Sequence, residues 1–280
     1  MWFHARDRGF ERQTCVRRDS RCVRANLSAG DGRIGEEQRA VLDLGSAVGT
    51  IGVGLTRWEV DPGKWSTPAH VEGAEEEIFF VLGGSGLSWQ DGSAYQVAEG
   101  DCLVHLPGGE AHTLHAGPDG LDVLAFGERL PHGNTVLPRA QVAWMSPAFV
   151  DVVPIGDEHP FKREAAAGEP EVGEVLERPP GIVNVADGIR HEIRPGAVDL
   201  DLGGRVGSER TGLSHVTLEP GRDGYPPHCH SADEEIFVIL EGSGTVLLGD
   251  EESSVHAGHV LGRPPGTRVA HSFRAGDEGM

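Results

Sequence analysis

The sequence predicts an all-β protein that contains two copies of one domain. Three observations support this prediction: the glycine content, short β-rich segments between glycine clusters, and a long internal repeat. Glycine accounts for 41 of the 280 residues, about 15% against a usual value of roughly 7%. This composition favours many tight turns, and no long amphipathic pattern typical of a helix is present.

The internal repeat has an offset of 158 residues. Aligned without a gap, residues 43–89 match residues 201–247, and 20 of the 47 pairs are identical. Solenoid repeats have much shorter periods of about 20 to 50 residues, so this offset indicates a duplicated domain. In each copy, β-rich runs such as 77–82 and 235–240 are bounded by glycines at intervals typical of all-β sandwiches or barrels.

The repeat divides the chain into four segments. We predict a basic N-terminal arm over residues 1–39, a first barrel over 40–127, a proline-rich connection over 128–181 and a second barrel over 182–280. The first 30 residues contain seven arginines and three acidic residues, whereas the remaining 250 carry a net charge of −24. Such an acidic body repels phosphate, which argues against nucleic-acid or membrane-surface partners.

The four cysteines do not have the spacing of a redox motif or a zinc ribbon. Six residues lie between Cys15 and Cys22, while Cys102 and Cys229 stand alone in strand-like runs. We therefore expect no disulfide framework and a reducing, cytoplasmic compartment. The longest apolar run is about five residues, against roughly 18 for a spanning helix, so we expect no membrane span.

A candidate metal site lies in the second copy. On a strand, His228 and His230 would point to one face, and Cys229 would point away as a packing residue. Glu235 begins the next strand, and His271 returns from a later hairpin. Three neutral imidazoles and one carboxylate suit a divalent transition metal. The alternative is a hydrogen-bonded core cluster, in which a buried glutamate without a cation would be costly.

These motifs resemble those of the cupin superfamily, and two copies of them resemble a bicupin. The family's first motif is glycine, His-x-His, glutamate and glycine, and its second is glycine, Pro-x-Gly and histidine. In the second copy they fall on Gly221, His228, His230, Glu235, Gly242, Gly258, Pro264, Gly266 and His271. Four residues separate the last glycine from the histidine, where the family commonly has two. The resemblance covers roughly residues 40–126 and 183–280. It implies a double-stranded β-helix, or jelly roll, in each copy.

The first copy carries the corresponding positions with one change. They are His70, Glu72, Glu77, Gly84, Gly100, Pro107, Gly109 and His112. Its His-x-His is His-x-Glu, and the carboxylate of Glu72 is also a metal ligand type, so we expect a site with two histidines and two carboxylates. An empty relic is the alternative. The acidic residues that precede the two motif glutamates are interpreted as solvated turn charges: Glu75, Glu76, Asp233 and Glu234.

The second copy lacks a counterpart of one strand. With an offset of 159, Met280 corresponds to Leu121, after which the first copy continues through an alternating run over 122–126. We therefore predict a second barrel without its final strand. Either truncation weakens this barrel, or the N-terminal region or a partner chain covers the open edge.

The resemblance implies a metal-dependent protein that acts on a small organic molecule. Cupins include dioxygenases, decarboxylases, isomerases, hydrolases and non-enzymatic binders, and the fold alone selects none of these. Our first hypothesis is a dioxygenase-type oxidoreductase with Fe(II) or Mn(II), Zn, Ni or Cu being alternatives. The second is a non-catalytic module that binds a metal or a small molecule. No residue is assigned as general acid or base, and the resemblance to bicupins suggests a homodimer.

Overall fold

A computed structural model describes residues 2–5, 23–26, 39–145, 150–151 and 164–280, with side chains for 42–143, 145 and 164–280. Strands dominate the described residues, as the sequence predicts. The strands are β1 (Trp2–Ala5), β2 (Val23–Asn26), β3 (Arg39–Asp43), β4 (Val53–Val60), β5 (Val71–Glu72), β6 (Glu77–Gln90), β7 (Ser93–Ala98), β8 (Asp101–His105), β9 (His112–Glu128), β10 (Asn134–Leu137), β11 (Val142–Met145), β12 (Val150–Asp151), β13 (Val175–Leu176), β14 (Ile182–Asn184), β15 (His191–Arg194), β16 (Ala197–Asp201), β17 (Thr211–Leu218), β18 (Glu234–Val238), β19 (Ser243–Leu248), β20 (Glu251–His256), β21 (His259–Arg263) and β22 (His271–Ala275).

Helices are short in this part of the chain. They include α1 (Leu44–Ala47), α2 (Leu202–Val206) and a 3-10 turn (Val185–Asp187), and residues 164–166 are also helical. The aspartates before the two α-helices, Asp43 and Asp201, occupy matching positions of the repeat, and each caps its helix by accepting a hydrogen bond from a backbone N–H. Among the described residues, no helix is long and apolar enough to cross a membrane.

Two long bent strands organise the first barrel. β6 pairs with β9 in antiparallel fashion from Glu77 to Gln90, with register shifts around Gly84. Gly84 has φ +80, and a Cβ there would lie 2.3 Å from the carbonyl oxygen of Gly120. Only glycine tolerates both conditions, so this residue lets each strand serve both faces of the barrel. Gly242 repeats the arrangement in the second barrel with φ +70.

The second barrel has two sheets, with the strand orders β15-β16-β17-β1-β18-β21-β2 and β20-β19-β22. β1 fills the place of the closing strand. Trp2 pairs with Ser214 and Phe237, just as Ala125 pairs with Thr56 and Phe79 in the first barrel. The N-terminal region thus covers the open edge, which was one of the alternatives predicted from the sequence.

The barrels also exchange strands. β14 begins the segment predicted as the second barrel but pairs with β8 of the first, and β2 precedes the first barrel but pairs with β21 of the second. The registers agree, because Asn184 lies opposite Asp101 and Asn26 lies opposite His259, each pair related by the offset of 158. The repeat therefore includes a strand that each copy donates to the other.

The predicted connection contains strands of its own. β10 pairs with β5 and with β11, and β13 pairs in parallel with β7. These pairings place a small sheet beside the first barrel, where Thr135 reaches Glu72.

An apolar core lies between the barrels. It joins Leu55, Phe80 and Phe126 of the first barrel to Leu213 and Ile236 of the second. Separate clusters fill each barrel, around Trp58 and Phe79 in the first and around Ile239 and Val246 in the second. The two candidate sites lie next to Phe79 and Phe237, at matching positions of these two barrels.

Candidate metal centres

The same backbone pairing positions the histidines in both barrels. His70 forms an isolated antiparallel bridge with His112, and His228 forms the same bridge with His271. The sequence predicted that His228 and His230 lie on a strand. This was wrong, because among the described residues His228 forms an isolated bridge and residues 229–233 form a loop that leads to β18. In each barrel, one backbone bridge therefore positions two of the histidines.

In the first barrel, two histidines converge on one carboxylate. The Nε2 atoms of His112 and His70 lie 2.9 Å and 3.4 Å from Oε2 of Glu77. One donor atom from each residue falls within 4.8 Å of the others. His70 and His112 are buried, and Glu77 retains 19% side-chain exposure. Oε1 of Glu72, the fourth predicted ligand, lies farther away, 3.8 Å from Nε2 of His70.

Backbone carbonyls orient these histidine rings. Nδ1 of His70 lies 2.9 Å from the carbonyl oxygen of Pro68, and Nδ1 of His112 lies 3.1 Å from that of Glu110. With Nδ1–H donating to a carbonyl, Nε2 is the nitrogen that faces Glu77. Nε2 can donate to the Glu77 carboxylate when it is protonated, or bind a metal ion through its lone pair when it is not.

The two carboxyl groups of the first site differ in protonation. Burial, followed by the charge of Glu77, raises the pKa of Glu72 to about 7. Burial also acts to raise the pKa of Glu77, but hydrogen bonds from His112 and His70 outweigh it and hold this pKa well below its usual range. The hydroxyl of Thr135 donates to Glu72 at 2.9 Å. Glu77 is thus the anionic centre of the site, and Glu72 is held beside it by the connection.

In the second barrel, the predicted residues converge on Glu235. Nε2 of His230 lies 3.1 Å from Oε1 of Glu235, and Nε2 of His271 lies 3.3 Å from Oε2. His228, Glu235 and His271 offer donor atoms within 4.8 Å of one another. Nδ1 of His228 lies 2.7 Å from the carbonyl oxygen of Pro226, which repeats the orientation of His70. The sequence-predicted ligands are thus together in space.

His271 fits a metal ligand for a further reason. Among the described residues, neither of its buried ring nitrogens has a hydrogen-bond partner. Burial, followed by the neighbouring His228 and Arg263, lowers its pKa to about 3, so the ring is neutral. A buried polar atom without a partner costs roughly 1–3 kcal/mol, which coordination to a cation would recover. Three imidazoles and one carboxylate suit a divalent transition metal.

The family comparison agrees with this architecture. The family model described as "Cupin domain" matches residues 56–125 and again residues 214–280. These two matches coincide with the two barrels, and each contains the histidine bridge and the glutamate. The chain is a tandem cupin.

Solved structures show the same fold over nearly the whole tandem cupin. Oxalate decarboxylase from Lactobacillus farciminis, in a formate complex, has a TM-score of 0.64 and 15% identity over 95% of this chain and 85% of that one. Oxalate decarboxylase from Bacillus subtilis at pH 4.6 has a TM-score of 0.63 and 17% identity over 92% and 74%. No match was found among curated protein sequences.

The surroundings of the two centres of the tandem cupin are different. In the first barrel, the ring of His105 stacks on His112 with centroids 3.7 Å apart, and its Nδ1 lies 2.9 Å from Glu110. Burial, followed by His112, lowers the pKa of His105 to about 4. The repeat places Arg263 at the equivalent position of the second barrel, where it is buried and donates to the carbonyl oxygen of Val269. A neutral ring is thus replaced by a fixed positive charge.

The second centre opens onto a cavity of about 270 Å³. His228 and His271 line one part of it, and its walls include Val216, Phe237 and Phe273. In the first barrel, Trp58 occupies the position of Val216 and packs on Phe79 with ring centroids 5.4 Å apart. The large side chain of Trp58 therefore fills the space in the first barrel that corresponds to the cavity in the second.

Two interpretations of individual residues were wrong. Cys229, predicted to pack, is exposed, because its segment is a loop rather than a strand. Glu76 and Glu234, predicted as solvated turn charges, are 0% and 7% exposed and bind backbone of the opposite barrel. The sequence did contain a signal for them, since both copies have two successive glutamates at this point of the repeat.

Proposed function

We propose that the tandem cupin is a divalent-metal-dependent enzyme that acts on a small organic acid. His70, Glu77 and His112, with Glu72, would hold one ion, and His228, His230, Glu235 and His271 would hold another. The observation that carries the proposal is the convergence of imidazole and carboxylate donors within 4.8 Å at the same point of both barrels. Fe(II) and Mn(II) suit these mixed nitrogen and oxygen donors.

The residues of the site provide binding and orientation. A bound divalent ion would supply Lewis-acid polarisation of a substrate oxygen or activation of dioxygen. Pro68, Glu110 and Pro226 fix three of the imidazoles through their carbonyl oxygens. Phe79 and Phe237 pack against histidines of the two sites and limit the access of water.

The second barrel is the proposed site of substrate binding. Its cavity of about 270 Å³ lies just below the range of roughly 300–1,000 Å³ that is usual for ligand pockets. It would accommodate a molecule of a few heavy atoms with its oxygen atoms at His228 and His271 and its carbon atoms against Phe237 and Phe273. Arg263 adds a positive charge near His271, which favours an anionic substrate.

Two reactions fit this site, and the first is a dioxygenase-type oxidation of the acid. The second candidate is decarboxylation, which the resemblance to oxalate decarboxylases supports. In either reaction, a bound metal would polarise the oxygen atoms of the substrate or activate dioxygen. They differ in oxygen consumption, because a dioxygenase incorporates dioxygen into its product and a decarboxylase releases carbon dioxide from the acid.

Metal analysis and gas exchange test the proposal. Protein purified without a histidine tag should contain up to two equivalents of Fe or Mn by mass spectrometry. Incubation with oxalate and other small acids should consume oxygen or release carbon dioxide, and removal of the metal with a chelator should abolish either activity. Bound metal without turnover of any acid would support a non-catalytic binding module instead. Absence of bound metal after loading with Fe(II) or Mn(II) would contradict both.

A further inference from the structure

Two buried glutamates cross between the barrels, and each directly precedes a candidate metal ligand. Neighbouring side chains of an extended chain point to opposite faces. Because Glu77 faces the candidate site of the first barrel, Glu76 faces the second barrel. Glu234 and Glu235 have the same arrangement in the opposite direction.

Glu76 binds a loop of the second barrel. Its Oε1 accepts hydrogen bonds from the hydroxyl of Ser208 at 2.6 Å and from the backbone N–H of Thr211 at 3.1 Å, and also from the hydroxyl of Thr211. Its Oε2 accepts from the backbone N–H of Glu209 at 2.9 Å. The carboxylate thus joins the start of β6 to the residues that lead into β17.

Glu234 binds the corresponding loop of the first barrel. Its Oε2 accepts hydrogen bonds from the backbone N–H groups of Gly52 at 2.8 Å and Val53 at 3.0 Å. The backbone N–H of Ile51 lies 3.1 Å from its Oε1. Three successive N–H groups therefore surround one carboxylate, which joins the start of β18 to the residues that lead into β4.

Buried carboxylates that accept hydrogen bonds, as Glu76 and Glu234 do, are not an effective means of stabilising the fold. A buried carboxylate loses its hydration, and well-packed apolar residues of similar volume often do as well or better. The barrels already share an apolar core that includes Leu55, Phe80 and Leu213. What several charge-assisted hydrogen bonds add is a fixed position for the backbone that carries them.

We propose that Glu76 and Glu234 are positioning residues, so that each barrel fixes the metal-binding glutamate of the other. This inference rests on the proposed function only in treating Glu77 and Glu235 as metal ligands. It goes further in assigning the geometry of each centre to the opposite half of the chain.

The pseudo-symmetry provides a matched pair of variants. Glu76→Gln and Glu234→Gln keep the side-chain size but place an amide NH₂ against N–H donors. Each would be made in the full chain in two backgrounds, His271→Ala, which leaves only the first site, and His112→Ala, which leaves only the second. Affinity for Mn²⁺ would be measured by calorimetric titration, and thermal unfolding of the metal-free proteins would be recorded in parallel.

The expected result is reciprocal. Glu76→Gln should weaken Mn²⁺ binding at the first site by about tenfold or more, the usual effect of losing a residue that orients a ligand, and should leave the second site within about twofold. Glu234→Gln should do the opposite. Equal weakening of both sites by either variant would indicate general destabilisation and would overturn the inference, as would unchanged affinity at both sites.

A second readout does not depend on metal. In the metal-free protein, amide hydrogen exchange should accelerate over residues 77–80 in Glu76→Gln and over residues 235–238 in Glu234→Gln, each without a change at the other segment. Uniform acceleration, or none, would contradict the inference. If the parent protein binds no Mn²⁺, the proposed function fails, and the exchange pattern still decides whether each glutamate fixes its neighbour.

Discussion

The two barrels share the histidine bridge and the glutamate of the candidate site, which together are called the ligand frame, and they differ in the side chains around it. The histidine bridges and the glutamate at the start of the next strand are equivalent in both. Around this frame, Glu72 corresponds to His230, His105 to Arg263, and Trp58 to Val216. The comparison indicates that backbone pairing fixes the donor geometry, whereas single side chains around the frame set the charge and the free space of each centre.

The largest expected effect is the loss of one metal without the other. Glu235→Gln removes the carboxylate on which the second site converges and should weaken its metal binding by more than about 100-fold, because the loss of an orienting neighbour alone costs roughly 10–100-fold. Metal analysis should show the content fall by one equivalent. His228→Ala should have the same effect, and Glu77→Gln is the matched control that should empty only the first site. Loss of both metals in any one variant would mean that the centres are not independent.

The packing difference between the barrels is tested by exchanging Trp58 and Val216. Trp58→Val leaves a void beside Phe79 and should lower the free energy of unfolding by about 2–4 kcal/mol. Val216→Trp should change it by less than about 1 kcal/mol, because the indole would occupy the existing cavity of about 270 Å³ rather than overpack a filled core. Urea denaturation measures both values.

Val216→Trp should also exclude any acid that binds in the second barrel. Turnover or ligand-dependent fluorescence should be lost while the metal content stays unchanged. A destabilisation as large as that of Trp58→Val would show that the cavity does not accept the ring. Unchanged turnover would place the substrate elsewhere.

The smallest expected effect is a change in the metal preference of the first site. Glu72→His restores the His-x-His pattern of the second barrel and replaces an oxygen donor with nitrogen. We expect the preference for Zn²⁺ over Mn²⁺ at the first site to rise by about tenfold, because imidazole favours the later metal. Competition between the two ions in the His271→Ala background measures this ratio. Thr135→Val, which removes only the hydrogen bond to Glu72, is the control and should not change the preference in the same direction.

The fold and the donor groups could be predicted from the sequence. The repeat identified two equivalent domains, and the spacing of His228, Glu235 and His271 identified three residues that the structure brings together. The arrangement of His228 and Glu235 is local, because a loop and the start of the next strand join them. His271 is far from both in sequence, and its backbone bridge to His228 fixes its position despite the longer spacing after Gly266.

The contacts between the barrels could not be predicted in the same way. Glu76 and Thr211 are far apart in sequence, and the repeated pair of glutamates does not indicate which residues bind the first of them. An acidic residue in a turn is usually solvated, and only the packing of one barrel on the other removes Glu76 and Glu234 from water. Cys229 is exposed because its segment is a loop rather than a strand, and this too depends on tertiary structure.

The position of β1 affects the order in which the chain folds during translation. Trp2 pairs with Ser214 and Phe237, so more than 200 residues separate the partners. During translation, residues 2–5 must wait until most of the polypeptide has emerged before their docking groove exists. Such remote pairing slows folding and leaves strand edges open to other chains in the meantime. The second barrel should accordingly be the late and aggregation-prone stage of biosynthesis.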